Sequence, residues 1–195
     1  MYSKEYNECL EQEHFSFSLI NFLHRENISK HFIRLLRKAQ FSKISILKWL
    51  YDRKCTTFGE RYSIEIYPNT KIGKGLYLGH PYGITVNPHA VIGEHVCLHK
   101  GVTIGVENRG VGKGTPIIGN CVWIGINSTI FGNIRVGNDV LISPNTVVKF
   151  NVPDHSIVCG NPARIKHREF AVEGYISREI YESYFGVKYE EDNNY

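Results

Sequence analysis

From Ile66 onward, apolar side chains recur every six positions rather than in the alternation of a surface strand or at the spacing of a helix. The longest train is Ile118, Ile124, Ile130, Val136, Ile142 and Val148. Two earlier trains are Ile66, Ile72, Leu78, Ile84 and Ile92, Leu98, Ile104. Two residues ahead of the later aliphatics runs a second, smaller series: Val122, Ser128, Ile134, Val140 and Thr146. Six residues make one short strand and one corner. Three such units close a triangular coil, and a coil buries its inner face only by stacking on others. The aliphatics then form an internal column. Ile and Val suit such short, buried strands. Gly119, Gly125 and Gly137 directly follow aliphatics, and they are expected at corners where the backbone needs φ > 0.

The register breaks twice. Ile84 to Ile92 spans eight residues and Ile104 to Ile118 spans fourteen. The second interval holds Glu107-Asn108-Arg109-Gly110-Val111-Gly112-Lys113-Gly114, a charged, glycine-rich loop expected to leave the column, where function tends to sit. Pro153 and Pro162 mark the column's end. Before about Tyr62 the pattern is helical. Phe15, Leu19, Phe22, Leu23, then Phe32, Leu35, Leu36, then Ile44, Leu47, Leu50 recur near helical spacing and are expected to be packing positions. The expected organisation is an α-helical segment over residues 1–61, a parallel β-helix over 62–165, and a partly helical tail over 166–195 with one short helix from Ser177 to Phe185.

Composition narrows this reading. Charged residues make up 22% and hydrophobic residues 42%, as in a globular chain. No apolar run is long enough to span a bilayer, and the polar, acidic start has no secretory signal pattern. The five cysteines form no C-x-x-C pair, which points to reduced thiols and a cytoplasmic protein. The net charge of +4 is uneven: nine Lys or Arg lie between Arg25 and Lys54, against Glu26 and Asp52 alone. A solvated helix face is one reading of that stretch. Peripheral contact with anionic lipid, or with an anionic substrate, is another. No nucleic-acid motif accompanies it.

Several pieces then carry a resemblance: Glu65-Ile66-Tyr67-Pro68, Lys71-Ile72-Gly73-Lys74-Gly75, Leu78-Gly79-His80-Pro81-Tyr82-Gly83-Ile84, Gly101-Val102-Thr103-Ile104-Gly105, Val122-Trp123-Ile124-Gly125 and Gly160-Asn161-Pro162-Ala163-Arg164. Together they resemble the serine O-acetyltransferase family of hexapeptide-repeat acyltransferases. The resemblance implies a left-handed β-helix, a mainly β fold behind a short helical segment. It also implies an acetyl-CoA-dependent O-acetyltransferase. His80 matches the family's general base, and Glu65 stands fifteen residues earlier where the family has an Asp that orients the imidazole. Acetyl-CoA would lie against Val106, Ile126 and Pro144, with Lys149 and Arg164 toward its phosphates. No metal is required. By analogy the enzyme is a homotrimer with its site between two columns.

The acceptor side departs from the family. Gly79 stands where an Asp binds the serine ammonium, and Gly114 and Thr115 replace an Arg-His pair that binds its carboxylate. Such a pocket has lost charge complementarity to a zwitterion. We therefore expect a sugar or other saccharide unit as acceptor, with Gly79, Tyr82 and Thr115 at its site, and O-acetyl-L-serine formation as the alternative. Tyr67 and Tyr77 also lie near the His80 segment. A third reading, a zinc-dependent hydratase on the same fold, draws on His80, His89, His95 and His99. The repeat disfavours it, because it sets His99 level with Gly79 and His80 level with Lys100.

Overall fold

In the computed structural model the described residues are 23–187, with side chains from residue 28. The expected helical positions Phe15, Leu19 and Phe22 lie outside them, as does the end of the tail.

Fifteen short strands wind around a triangular prism. Its first face holds β1 (Ile64–Glu65), β4 (Ile84–Val86), β7 (Thr103–Gly105), β10 (Thr129–Phe131) and β13 (Val147–Val148). The second holds β2 (Lys71–Ile72), β5 (Val91–Ile92), β8 (Ile117–Ile118) and β11 (Arg135–Val136). The third holds β3 (Tyr77–Gly79), β6 (Cys97–His99), β9 (Val122–Ile124), β12 (Val140–Ile142), β14 (Ser156–Gly160) and β15 (Ala163–His167). All pair in parallel except β15, which folds back on β14. The pairing stacks aliphatic on aliphatic: Ile130 lies between Ile104 and Val148, and Leu98 between Leu78 and Ile124. Both trains of the later repeat are buried, including Ser128 and Thr146. The Ser128 hydroxyl donates to the Ser143 carbonyl, which satisfies it inside the prism. The tail begins later than expected, since β15 runs to His167.

The corner glycines act differently from the expectation. Gly119, Gly125 and Gly137 do not have left-handed backbones. They are needed because consecutive coils nearly touch: a Cβ on Gly119 would lie 2.5 Å from the Gly137 carbonyl oxygen. The left-handed corners are held by other glycines, Gly75, Gly83 and Gly101, and by Asn127, Asn145, Asp139, His95, Cys121 and His155, mostly residue types that tolerate that conformation.

Two helices cap the first coil, α1 (Leu23–Phe41) and α2 (Ser45–Tyr62). Phe32 and Leu36 join the solenoid core, as their spacing predicts. The anchor is Arg37, which is fully buried. Its guanidinium donates to the Ile72 carbonyl at 3.0 Å, to the Gly73 carbonyl and to Gln40, and so caps the open end of the second face. Ile44 and Leu50 do not pack as expected; they are 50% and 38% exposed. They fall at the start of α2, where Leu50 lines an open groove between the two helices instead of a packed contact.

The tail is no loose appendage. Ala171, Val172, Ile176 and Tyr181 cover Cys97, Cys121 and Leu141 on the outside of the third face. A short helix, α3 (Arg178–Phe185), starts at Ser177, whose hydroxyl caps the Ile180 N–H. Tail and prism meet at the wholly buried carboxylate of Asp139. It accepts from the Ala171 and Val172 N–H groups at 3.1 Å, the Tyr181 hydroxyl at 3.0 Å and His155 Nδ1 at 2.8 Å. Burial, then the Asp139 charge, pushes the Tyr181 hydroxyl pKa upward, so it stays a donor.

Candidate active site

The edge where the third face turns into the first repeats one corner in every coil. The register makes Gly79, His99, Gly125 and Ser143 equivalent, followed by His80, Lys100, Ile126 and Pro144. In three of these corners the next residue is left-handed: Gly101 at φ 72°, Asn127 at 58° and Asn145 at 58°. In the first coil that place is taken by Pro81, whose ring holds φ near −65°. The left-handed conformation moves to His80, at φ 51°, and to Gly83, at φ 66°. The corner is closed by the Tyr82 N–H donating to the His80 carbonyl at 2.7 Å. His80 is thus the one histidine on this edge forced into a left-handed backbone, with its side chain exposed. Backbone strain of this kind concentrates at functional positions.

Glu65 lies on β1, outward on the first face and level with Thr85. It lies fifteen residues before His80, within the same first coil. His99, which the sequence reading used to set the register and weighed among the candidate zinc ligands, is a neighbour of His80, with ring centroids 6.4 Å apart. A Cβ on Gly79 would lie 2.4 Å from both Nδ1 and Cε1 of this ring, so His99 fills the space that a side chain at position 79 would need. His99 in turn stacks on Trp123 at 4.7 Å, and Trp123 on Tyr175 of the tail at 4.5 Å. Burial first, and the nearby His80 second, lower the His99 pKa to about 4, so the ring is neutral. The signal for this wall was present in the sequence: the register pairs Gly79 with His99, and a glycine facing a ring implies that the ring occupies its space.

The other expected residues divide between two edges. Ile126 and Pro144 share the His80 edge, and the Asn145 N–H reaches the Ile126 carbonyl at 2.8 Å. Val106 and Lys149 lie on the opposite edge of the same face, after β7 and β13. Val106 is 40% and Ile126 37% exposed, and Lys149 is exposed. Thr115 is also on that far side, its hydroxyl donating to the His89 carbonyl at 3.1 Å. Both register breaks are there, the Asn87–Ala90 turn and the 106–116 loop, which leaves the column as a small hairpin bridged between Glu107 and Gly114. Tyr82 is half-buried against Tyr62 of α2, at 6.0 Å, and its visible role is packing. Arg164 projects from β15 at the end of the prism, exposed beside Lys166. Arg168 is paired with Glu173 at 2.9 Å. Among the described residues no three His, Cys, Asp or Glu side chains converge as metal ligands.

No family model matches the chain. It is 39% identical over 106 residues to serine acetyltransferase 4 of Arabidopsis thaliana, covering 54% of this chain and 30% of that protein. A crystal structure of Neisseria gonorrhoeae serine acetyltransferase in complex with serine superposes with a TM-score of 0.66 at 27% identity, over 83% of this chain and 69% of that one. The chain carries a serine acetyltransferase-like left-handed β-helix. A serine acetyltransferase solved as a complex with CoA matches this solenoid with a TM-score of 0.60 at 32% identity, over 70% of this chain and 56% of that one. The chain spans 30–54% of the length of the first curated relatives it matches.

Proposed function

We propose that this chain is an O-acetyltransferase that moves an acetyl group from acetyl-CoA to a hydroxyl acceptor, with His80 as general base. The observation that carries the proposal is the Pro81-altered corner, which sets an exposed imidazole on a solenoid like those of serine acetyltransferases. His80 takes the proton of the acceptor hydroxyl, whose oxygen bonds to the thioester carbon. The carbon–sulfur bond then breaks and the proton passes to the departing thiolate. Ile126 and Pro144 on one edge, with Val106 and Lys149 on the other, fit a long amphiphilic donor: apolar corners for its arm and Lys149, with Arg164 at the end, for its phosphates. One chain holds these two sets on opposite edges of a face. In a homotrimer the His80 edge of one copy lies beside the Val106 edge of the next. Glu65 is a positioning residue for the imidazole in this scheme. The free cysteines, Cys55, Cys97, Cys121 and Cys159, suit a reducing cytoplasm.

For the acceptor, the likeness to serine acetyltransferases supports L-serine ahead of the saccharide expected from the sequence. One observation favours the second reading. The place of an acidic side chain at position 79 is filled by the neutral His99 ring, backed by Trp123 and Tyr175, a wall suited to an uncharged, ring-bearing hydroxyl compound. The test is CoA release from acetyl-CoA with L-serine, sugars and nucleotide sugars in parallel. His80→Ala should lower kcat by about 10²–10⁴-fold with CoA affinity unchanged. Turnover near the parent rate would remove His80 from the mechanism.

A further inference from the structure

The start of α2 presents apolar side chains where packing is expected. Ile44 is 50%, Ile46 66% and Trp49 55% exposed. Ile46, Trp49 and Leu50 are spaced to share one helix face. Around them stand the exposed cations Lys43, Lys48, Arg53 and Lys54. From residue 28 to 62 the chain has nine Lys or Arg against Asp52 and Glu60, in a protein whose total charge is +4. Positive charge is therefore concentrated on the helical cap, and the remainder is net acidic. Arg37 is spent inside as the anchor. Four of the others, Lys38, Arg53, Lys54 and Arg61, line a groove of about 800 Å³ between α1 and α2 together with Trp49 and Phe58. The Arg53 guanidinium lies 5.5 Å from the Trp49 ring centre, as a cation does when it shares an amphipathic surface with an aromatic.

An apolar tip ringed by cations has two complementary needs: hydrocarbon for the tip and fixed anions beside it. A bilayer interface meets both in one plane. An acidic protein groove or a soluble anion meets only the second. No described helix is long and apolar enough to cross a membrane, so contact would be lateral. We propose that the α1–α2 cap docks on an anionic phospholipid surface, with Ile46 and Trp49 entering the headgroup boundary and Lys48, Arg53 and Lys54 facing lipid phosphates. This surface is separate from the His80 corner and does not depend on the reaction proposed there.

The test is co-sedimentation of the full chain with phosphatidylcholine vesicles, with and without phosphatidylglycerol. Binding should require phosphatidylglycerol and weaken with salt. Lys48→Glu/Arg53→Glu should reduce it by well over about tenfold, since each cation near such a surface contributes about fivefold. Ile46→Ser/Trp49→Ser should also reduce it by about tenfold or more while leaving the charge intact. All four sites are exposed, and unchanged thermal melting will show that both variants fold. Equal binding to both vesicles, or parent-like binding by either variant, overturns the proposal. So does stabilisation by inorganic phosphate without vesicle binding. Concentration-dependent dimerisation lost in Ile46→Ser/Trp49→Ser, again without vesicle binding, would assign the face to a second copy and overturn it equally.

Discussion

Asp139 offers a quantitative test of how the tail is held. Asp139→Ala removes one carboxylate and strands two backbone N–H groups and the Tyr181 hydroxyl, which have no solvent at hand, while the partly exposed His155 imidazole can turn to water. Each buried group left without a partner costs about 1 kcal/mol at the low end, so the three buried donors sum to about 3 kcal/mol. Ala at φ 51° adds about 1 kcal/mol of left-handed backbone strain, for a total of about 4 kcal/mol. The chain has an escape, since the tail can undock and let water reach the three buried donors. The loss of global stability is then capped at the docking free energy of residues 168–187. Two assays separate these routes. If the tail stays, the melting temperature should fall by about 8–16 °C, at about 2–4 °C per kcal/mol for a chain of this size. If it leaves, melting moves less, but limited proteolysis should cut between Phe170 and Phe185 in the variant long before the parent. Asp139→Asn preserves shape and some acceptor capacity and should fall between the two. An Asp139→Ala protein that melts within about 2 °C of the parent and keeps a protected tail would refute the clamp.

Other perturbations probe the cap and the His99 wall. Arg37→Ala strips the Ile72 and Gly73 carbonyls of their donors and should destabilise by about 2–4 kcal/mol, read as a lower denaturant midpoint. Acid should weaken the fold through His99: its folded pKa of about 4 lies below the unfolded value, so from about pH 6.5 downward only the unfolded chain takes the proton. The loss should approach about 3 kcal/mol near pH 4, and His99→Phe should remove that part of the slope. Gly79→Asp should destabilise by about 2–3 kcal/mol because its side chain meets the His99 ring, and adding His99→Gly should restore stability. A Gly79→Asp protein as stable as the parent would show that the ring does not fill that space.

The six-residue period was enough to read the prism, because a column of aliphatics has one geometric solution once neither helix nor alternating strand fits. It also set His99 opposite Gly79, as the pairing has it. Features without a period were harder to see. Glycine after each aliphatic suggested conformational freedom, whereas the coils require it for closeness, and only the stacked backbones reveal the difference. Arg37 looked like one cation among nine, and its burial depends on where α1 ends over the open carbonyls of the first coil. Asp139 carried no local signal, because His155 lies 16 residues away in the next coil and its other partners 32 to 42 residues away in a tail whose polarity disguises four apolar contacts. Helical spacing placed Ile44 and Leu50 inside, but periodicity says which residues share a face and not what lies against it.

The candidate chemistry sits where the repeat is bent, and the bend has a local cause. A solenoid edge is nearly uniform, so Lys100, Ile126 and Pro144 point alike along it, and nothing in the repeat alone would distinguish a catalytic coil. Pro81 breaks that uniformity by refusing the left-handed conformation that Gly101, Asn127 and Asn145 adopt. The displaced strain falls on His80, while Gly79 yields its side-chain space to His99. Three adjacent residues thus convert a repeated corner into a distinct one: Gly79 admits the neutral wall, His80 carries the imidazole, and Pro81 sets its backbone. Replacing Pro81 by Gly should let the left-handed residue return to position 81, as in the other coils, and relax His80. If the corner is what aims the imidazole, that variant should lose turnover while keeping its fold; if its turnover matches the parent, the aim comes from elsewhere and the bent corner is only an accident of the first coil.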